Sequence, residues 1–306
     1  MRIVLAGGSG FIGRALTTAL IQGGHSVIVL TRGKPHSGGA VQTEVRHAQW
    51  DGKSGGLWMQ QLGGADAVIN LSGASLGDGR WTPRRKEQIM SSRVDATTAL
   101  VEAMRTVARR PKILINASGT GYYGHVPEGE LDENAPAGSD FLAMVCQRWE
   151  SASEAAERLG VRVVRLRTGF VIGRQAPAFQ RMTIPFRFFA GGWYGRGTQW
   201  FPWIHIRDAV GGYLHALESA SLSGPVNLVA PESVRILDFT KLLGDLLGRP
   251  AWMPVPSAAL RLMLGEMSAL LLNGQRAVPR KLQHSGFVYA YPRAREALSQ
   301  AILAAD

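Results

Sequence analysis

The sequence predicts an α/β protein organised around a doubly wound parallel sheet, with a ligand-covering region after it. Three observations carry this expectation. Short apolar runs alternate with longer segments of helical spacing; a glycine-rich turn separates the first run from the first helix; and the alternation breaks down after Gly173. Strands of a parallel sheet are buried on both faces, so they read as continuous apolar runs.

The elements follow in chain order. Residues 3–6, 27–30, 67–71, 113–117 and 161–166 have the length and composition of buried strands, with a further strand expected before Trp50. Between them, residues 11–22, 84–108 and 141–159 place apolar side chains at helical intervals. This is a repeated βαβ order, the pattern of a doubly wound sheet. Gly38-Gly39, Gly52, Gly55-Gly56 and Gly63-Gly64 read as loops and helix ends around the third strand. Beyond Gly173, Pro177, Pro185, Gly191-Gly192, Gly195 and Gly197 lie among Phe186, Phe188, Phe189, Trp193 and Tyr194, a composition suited to covering a ligand. A helix over 207–217, a strand over 226–229 and helices over 236–247 and 294–304 complete the chain.

Composition narrows the function classes. With 45% hydrophobic residues, the 306-residue chain has material for a sizeable core, which excludes a disordered or fibrous protein. Lys and Arg number 34 against 23 Asp and Glu, a formal net charge of +11, and the surplus leans toward the half after Glu150. Such a field concentrates anions of any kind: nucleic acid, acidic membrane or small anionic molecules. Cys146 is the only cysteine, so no intrachain disulfide forms and a reducing, cytoplasmic setting is expected. The N-terminus enters the first strand directly, without a leader, which argues against secretion.

Residues 260–272 form the most apolar late stretch, but Arg261, Gly265 and Glu266 interrupt it and it falls short of the ~20 residues of a spanning helix. It is read as a packed or partner-facing helix, and no membrane association is expected. The seven histidines lack H-x-x-x-H spacing and a single cysteine builds no zinc cluster, so no metal site is expected. There is no G-x-S-x-G elbow. The basic clusters Arg84-Arg85-Lys86 and Arg105 to Lys112 are not read as a nucleic-acid surface, because the second falls at a helix C-terminus, where cations offset the dipole.

The sharpest motif is Gly7-Gly8-Ser9-Gly10-Phe11-Ile12-Gly13, which satisfies both G-x-G-x-x-G and G-x-x-G-x-x-G. Glycine permits the tight turn, lets a pyrophosphate approach the backbone and lets the helix pack close to the strand, while the helix N-terminus supplies unpaired N–H donors. Dinucleotide binding is the expected use. At the end of the second strand, where an acid would favour NAD, the chain reads Val29-Leu30-Thr31-Arg32-Gly33-Lys34. Arg32, 19 positions after Gly13, suits the 2′-phosphate of NADP(H) by charge-assisted hydrogen bonds; its alternative is a solvated strand-end arginine.

Further motifs are Asn70-Leu71-Ser72-Gly73-Ala74, Arg80-Trp81-Thr82, Ser92-Arg93, Ser118-Gly119-Thr120-Gly121-Tyr122-Tyr123-Gly124, Trp149-Glu150, Leu166-Arg167-Thr168-Gly169, the run from Phe201 to Asp208 and the run from Gly274 to Pro279. With the glycine turn, these resemble the extended short-chain dehydrogenase/reductases, and within them the YfcH-like atypical epimerase group. The resemblance spans essentially the whole chain. It implies a Rossmann-type domain over residues 1–173, a smaller α/β substrate-side domain over 174–306 with 204–230 returning to the sheet, and an NADP(H) site. It implies cofactor contacts at Gly7, Ser9, Gly10, Phe11, Ile12, Gly13, Thr31 and Arg32, at Leu71, Ser72 and Gly73, and at Ala117, Cys146, Thr168, Gly169 and Phe170. Trp50 is either an adenine neighbour or a core residue.

The sequence departs from this family at its catalytic pattern. The usual machinery is a serine or threonine after the fifth strand and then Tyr-x-x-x-Lys on the next helix, the tyrosine exchanging a proton and the lysine lowering its pKa. Ser118 and Thr120 fit the first part, but Leu142 stands where tyrosine belongs and Cys146 where lysine belongs. Ser118 is expected to polarise a carbonyl or hydroxyl, and Tyr122 or Tyr123 to transfer the proton. Thr120, Arg196, Gln199 and Arg276 are the substrate-side candidates, the arginines either gripping an anionic group by forked hydrogen bonds or serving as surface ion-pair partners. Two functions stay open: hydride transfer on a small substrate, or NADPH binding without turnover, reported to a protein partner.

Overall fold

The structure, a computed structural model, describes residues 1–33 and 45–303. The expected Gly38-Gly39 loop and the last residue of the expected C-terminal helix lie outside these. In order, the chain forms β1 (Arg2–Ala6), α1 (Phe11–Gln22), β2 (Ser26–Thr31), β3 (Val45–Gln49), β4 (Ala67–Asn70), α2 (Pro83–Thr106), β5 (Ile113–Gly119), β6 (Glu130–Leu131), α3 (Phe141–Glu154) and β7 (Arg162–Thr168). It continues with β8 (Phe170–Ile172), α4 (Pro177–Arg187), β9 (Trp200–Phe201), β10 (Trp203–His205), α5 (Ile206–Glu218), β11 (Gly224–Leu228), β12 (Val234–Arg235) and α6 (Ile236–Leu247). α7 (Ser257–Leu264), α8 (Ala269–Leu272), β13 (Arg276–Ala277), α9 (Arg280–His284) and α10 (Ala294–Leu303) follow.

Seven strands make one parallel sheet in the order β11-β7-β5-β4-β1-β2-β3. Its order reverses between β1 and β4, and a doubly wound sheet opens a ligand crevice at the carboxyl ends of the strands on either side of such a switch. Along β1, Ile3 and Leu5 join Leu16, Leu20, Tyr213 and Leu217 from α1 and α5, whereas Val4 and Ala6 join Leu100 and Met104 from α2. Both faces are therefore covered, and the strand needs no polar alternation. A third core beyond the sheet gathers Phe179, Phe186, Trp203, Phe239, Leu243 and Leu298.

Local chemistry sets the helix starts. Thr82 Oγ1 accepts the Arg85 N–H at 3.2 Å with Pro83 in the first turn, and Asp140 Oδ1 accepts the Ala143 N–H at 2.9 Å. α1 starts at Gly10 with no side-chain cap, which leaves its first-turn N–H groups open. α3 ends five residues before the expected Leu159, in a tight turn over 157–159 and a left-handed Gly160 at φ 77°.

Two expectations about the second half need correction. Residues 260–272 are two short helices, because Gly265 at φ 60° breaks the run and a 3-10 turn joins α7 to α8. The segment is half packed: Leu260 is buried, while Leu262 and Met263 are exposed and their carbonyls accept from Arg80. The proline- and aromatic-rich stretch after Gly173 forms α4, whose Phe179 and Phe186 fill the third core. No residue between Gly173 and Trp200 lines the main cavity described below.

Candidate functional site

The glycine turn is built for close approach. Gly7 has φ 80°, and a Cβ there would lie 2.7 Å from the Leu71 carbonyl carbon. At Gly13 a Cβ would lie 2.4 Å from Gly7 O, so the helix seats against the turn only without a side chain. Together with the uncapped α1 N-terminus, this leaves backbone N–H groups facing outward for an anion.

A cavity of about 530 Å³ opens over the carboxyl ends of β1, β4, β5 and β7. Of the predicted residues, Gly7, Gly10, Phe11, Ile12, Gly13, Leu71, Ala117, Ser118, Thr120, Cys146, Thr168, Gly169 and Phe170 all line it. Ser9 is exposed on the turn, and its carbonyl accepts from Arg14. Thr31 and Arg32 stand at the end of β2, with Arg32 exposed. Ser72 and Gly73 follow β4; the Ser72 Oγ is buried without a partner, and Gly73 lies under the Arg93 guanidinium.

The structure does not bring the other candidates to the cavity. Trp50 packs edge-on against Trp58 at 5.2 Å in the α2-side core, and Asp51 beside it turns back to accept the Lys53 and Ser54 N–H groups. Arg196 is exposed and outside the cavity wall. Gln199 is buried and spends its Nε2 on the Tyr194 and Leu271 carbonyls at 3.1 and 2.7 Å. Arg276 lies 3.3 Å from Glu130 and over the Trp200 ring, so its guanidinium is an ion-pair partner. His205 caps α5 and bonds Gln300 at 2.7 Å, and burial lowers its pKa to about 4.

Beneath the cavity floor runs a closed polar network. Ser118 Oγ donates to Glu150 Oε1 at 2.7 Å, and Glu150 takes a forked pair from Arg167, Nε to Oε1 and Nη2 to Oε2, each 2.9 Å. Arg167 Nη1 donates to the Tyr123 hydroxyl at 3.0 Å, which itself lies 2.7 Å from Asn227 Oδ1 and 2.9 Å from the Asp132 carbonyl. The Tyr122 ring lies flat against the same guanidinium, 3.4 Å from ring centre to Cζ. Tyr123 is 1% exposed, and burial pushes its phenol up to about 12, so its hydroxyl is not presented to the cavity. Tyr122 does not line the cavity either. Burial, and then the charge of Glu150, push the Cys146 thiol up to about 11, which leaves it a neutral wall residue.

Arg93, part of the Ser92-Arg93 motif, carries no site role from the sequence alone, yet the structure sets it on the cavity wall. It is 9% exposed, lines the cavity and lies 5.1 Å above the Trp149 ring. A signal was available: Ile89, Arg93, Ala96, Thr97 and Leu100 share the buried stripe of α2, and an arginine on such a stripe needs a reason. Asn273, Gln275, Ala269 and Leu270, from α8 and the segment after it, close the other side of the cavity.

Two family models match the chain: the NAD dependent epimerase/dehydratase family over residues 3–229, and a domain of unknown function, DUF1731, over residues 255–301. The epimerase family protein YfhF of Bacillus subtilis is 39% identical over 99% of this chain and 98% of that protein. The epimerase family protein SDR39U1 of mouse is 37% identical over 99% of this chain and all of its own length. The crystal structure of human epimerase family protein SDR39U1 (isoform 2) with NADPH superposes with a TM-score of 0.87 at 35% identity, covering 98% of this chain and 99% of that one. A seven-stranded parallel sheet whose strand order reverses beside a glycine turn, and whole-length similarity of this degree, make the chain a member of the NAD dependent epimerase/dehydratase family of extended short-chain dehydrogenase/reductases.

Proposed function

We propose that the protein binds NADP(H) and moves hydride to or from a small, anionic substrate in the 530 Å³ cavity. The observation that carries this is the glycine turn, whose missing side chains at Gly7 and Gly13 and uncapped helix end open directly onto that cavity. The residues present fit the dinucleotide: N–H groups of the turn for the diphosphate, the partnerless Ser72 Oγ for a ribose hydroxyl, and the exposed Arg32 for the 2′-phosphate. The NADPH in the human relative's structure supports the same choice. When bound, NADP(H) supplies or receives the hydride.

Wall residues would orient the substrate. Glu150 is an acceptor, so Ser118 gives its proton to Glu150 and offers the cavity a lone pair, which suits a substrate hydroxyl better than a carbonyl. Thr120 lines the cavity with no hydrogen bond from its side chain to any described residue, and is a free hydroxyl donor there. Parallel titration with NADPH and NADH tests the reading. NADPH is expected to bind at least tenfold tighter, and Arg32→Ala to abolish the difference. Equal affinities in the wild type would remove Arg32 from the site.

A second reading, NADPH binding without turnover, is favoured by one observation: the Ser118 and Tyr123 protons are committed to internal acceptors and the Cys146 thiol is raised. Sustained nicotinamide oxidation by pure protein with any member of a carbonyl panel would end it. NADPH-dependent affinity for a protein partner, without oxidation, would establish it.

A further inference from the structure

Among the described residues, Arg93 is the one buried guanidinium on the cavity wall, and none of them supplies it a countercharge. It makes no ion pair with any described residue; its one hydrogen bond goes from Nη1 to the Ile89 carbonyl of its own helix at 3.0 Å, and Trp149 supplies a ring face. The groups that act on its charge are Cys146, whose raised pKa keeps the thiol neutral, and a second cation, Arg85. Burial lowers its pKa to about 10, which still leaves it charged at neutral pH. The guanidinium lies directly against Gly73, where a Cβ would come within 2.9 Å of its Cζ. Next to Gly73, the Ser72 Oγ is also buried without a partner. A buried cation left without a partner costs several kcal/mol, so it persists where something else supplies the opposite charge.

We propose that Arg93 is the anion anchor of this cavity and pairs with a phosphate or carboxylate group of the molecule held there. It rests on the proposed function only in taking the cavity as a ligand site. The guanidinium presents a planar fork, which suits two-oxygen groups. Because the wall around it is formed by Leu71, Leu76, Leu142, Val145 and Trp149, the anion is paired in an apolar setting where a charge-assisted bond is strong.

The experiment compares full-length wild type, Arg93→Met and Arg93→Lys. Each is melted without ligand, titrated with NADPH, and then, saturated with NADPH, titrated with inorganic phosphate and with benzoate. An anchor predicts a ligand-free melting temperature for Arg93→Met at or above wild type, because an uncompensated charge is gone. It also predicts at least a tenfold loss of affinity in one titration, with Arg93→Lys between the two. A loss in the NADPH titration assigns the anion to the dinucleotide diphosphate. A loss confined to phosphate or benzoate assigns it to the substrate. Unchanged affinity in all three titrations, or a melting temperature lowered with affinity intact, overturns the proposal in favour of a packing role. Wild type that binds phosphate or benzoate but no NADPH would defeat the dinucleotide reading and leave the Arg93 test standing.

Discussion

Two buried arginines, Arg93 and Arg167, belong to two regions of the same site and are treated in opposite ways. Arg167, under the floor, is 2% exposed and saturated: a forked pair with Glu150, a bond to the Tyr123 hydroxyl and the flat Tyr122 ring. Burial works against its charge, but Glu150 and Tyr123 together outweigh burial and shift its pKa upward. Arg93, on the wall, has no acid partner among the described residues, and burial, with the Arg85 charge adding to it, lowers its pKa. A charge answered inside the protein holds structure together; a charge left unanswered beside a cavity is available to a ligand.

The largest test of this contrast is Arg167→Met. Glu150 would stay buried with Ser118 as its remaining side-chain donor, and a loss of about 3–5 kcal/mol is expected in urea unfolding. The double variant Arg167→Met/Glu150→Leu should recover most of it, because both charges are then gone. A single variant as stable as wild type would erase the distinction between the two arginines.

Tyr123→Phe comes next. It removes the hydroxyl shared by Arg167, Asn227 and Asp132, for about 1–3 kcal/mol, and leaves NADPH affinity unchanged. The pH dependence has a defined sign. Burial raises the phenol from 10.0 to about 12, so the folded protein keeps a proton that the unfolded chain gives up. The hydroxyl's contribution is complete below pH 10 and is lost as pH rises through about 12. The stability gap between wild type and Tyr123→Phe should therefore narrow across that window, and a constant gap would contradict the assignment.

The smallest effect is expected for Ser118→Ala. Glu150 keeps both Arg167 bonds, so the stability cost is about 1 kcal/mol and cofactor binding is preserved. If hydride transfer occurs here, turnover should fall; turnover equal to wild type would take Ser118 out of the reaction.

The sheet and the glycine turn were legible because their signals are local. A strand covered on both faces must be apolar at every position, and a turn pressed against Leu71 must lack side chains at Gly7 and Gly13. Tyr122 and Tyr123 were not separable by this means. Their direction depends on a 3-10 turn whose register is set by Arg167 and Asn227, 44 and 104 residues away in the chain. Arg276 and Gln199 carried plausible chemistry for a substrate, yet Glu130 and the Leu271 carbonyl had already taken it.

By itself, then, the sequence determined the parallel α/β sheet and the glycine turn at its switch point. Only the tertiary structure decided which polar side chains are spent inside the fold and which are left over for a ligand. That division depends on pairs far apart in the chain, such as Tyr123 with Asn227, and on the lack, among the described residues, of an acid paired with Arg93. A residue's type announces its charge, but only packing shows whether that charge is already answered.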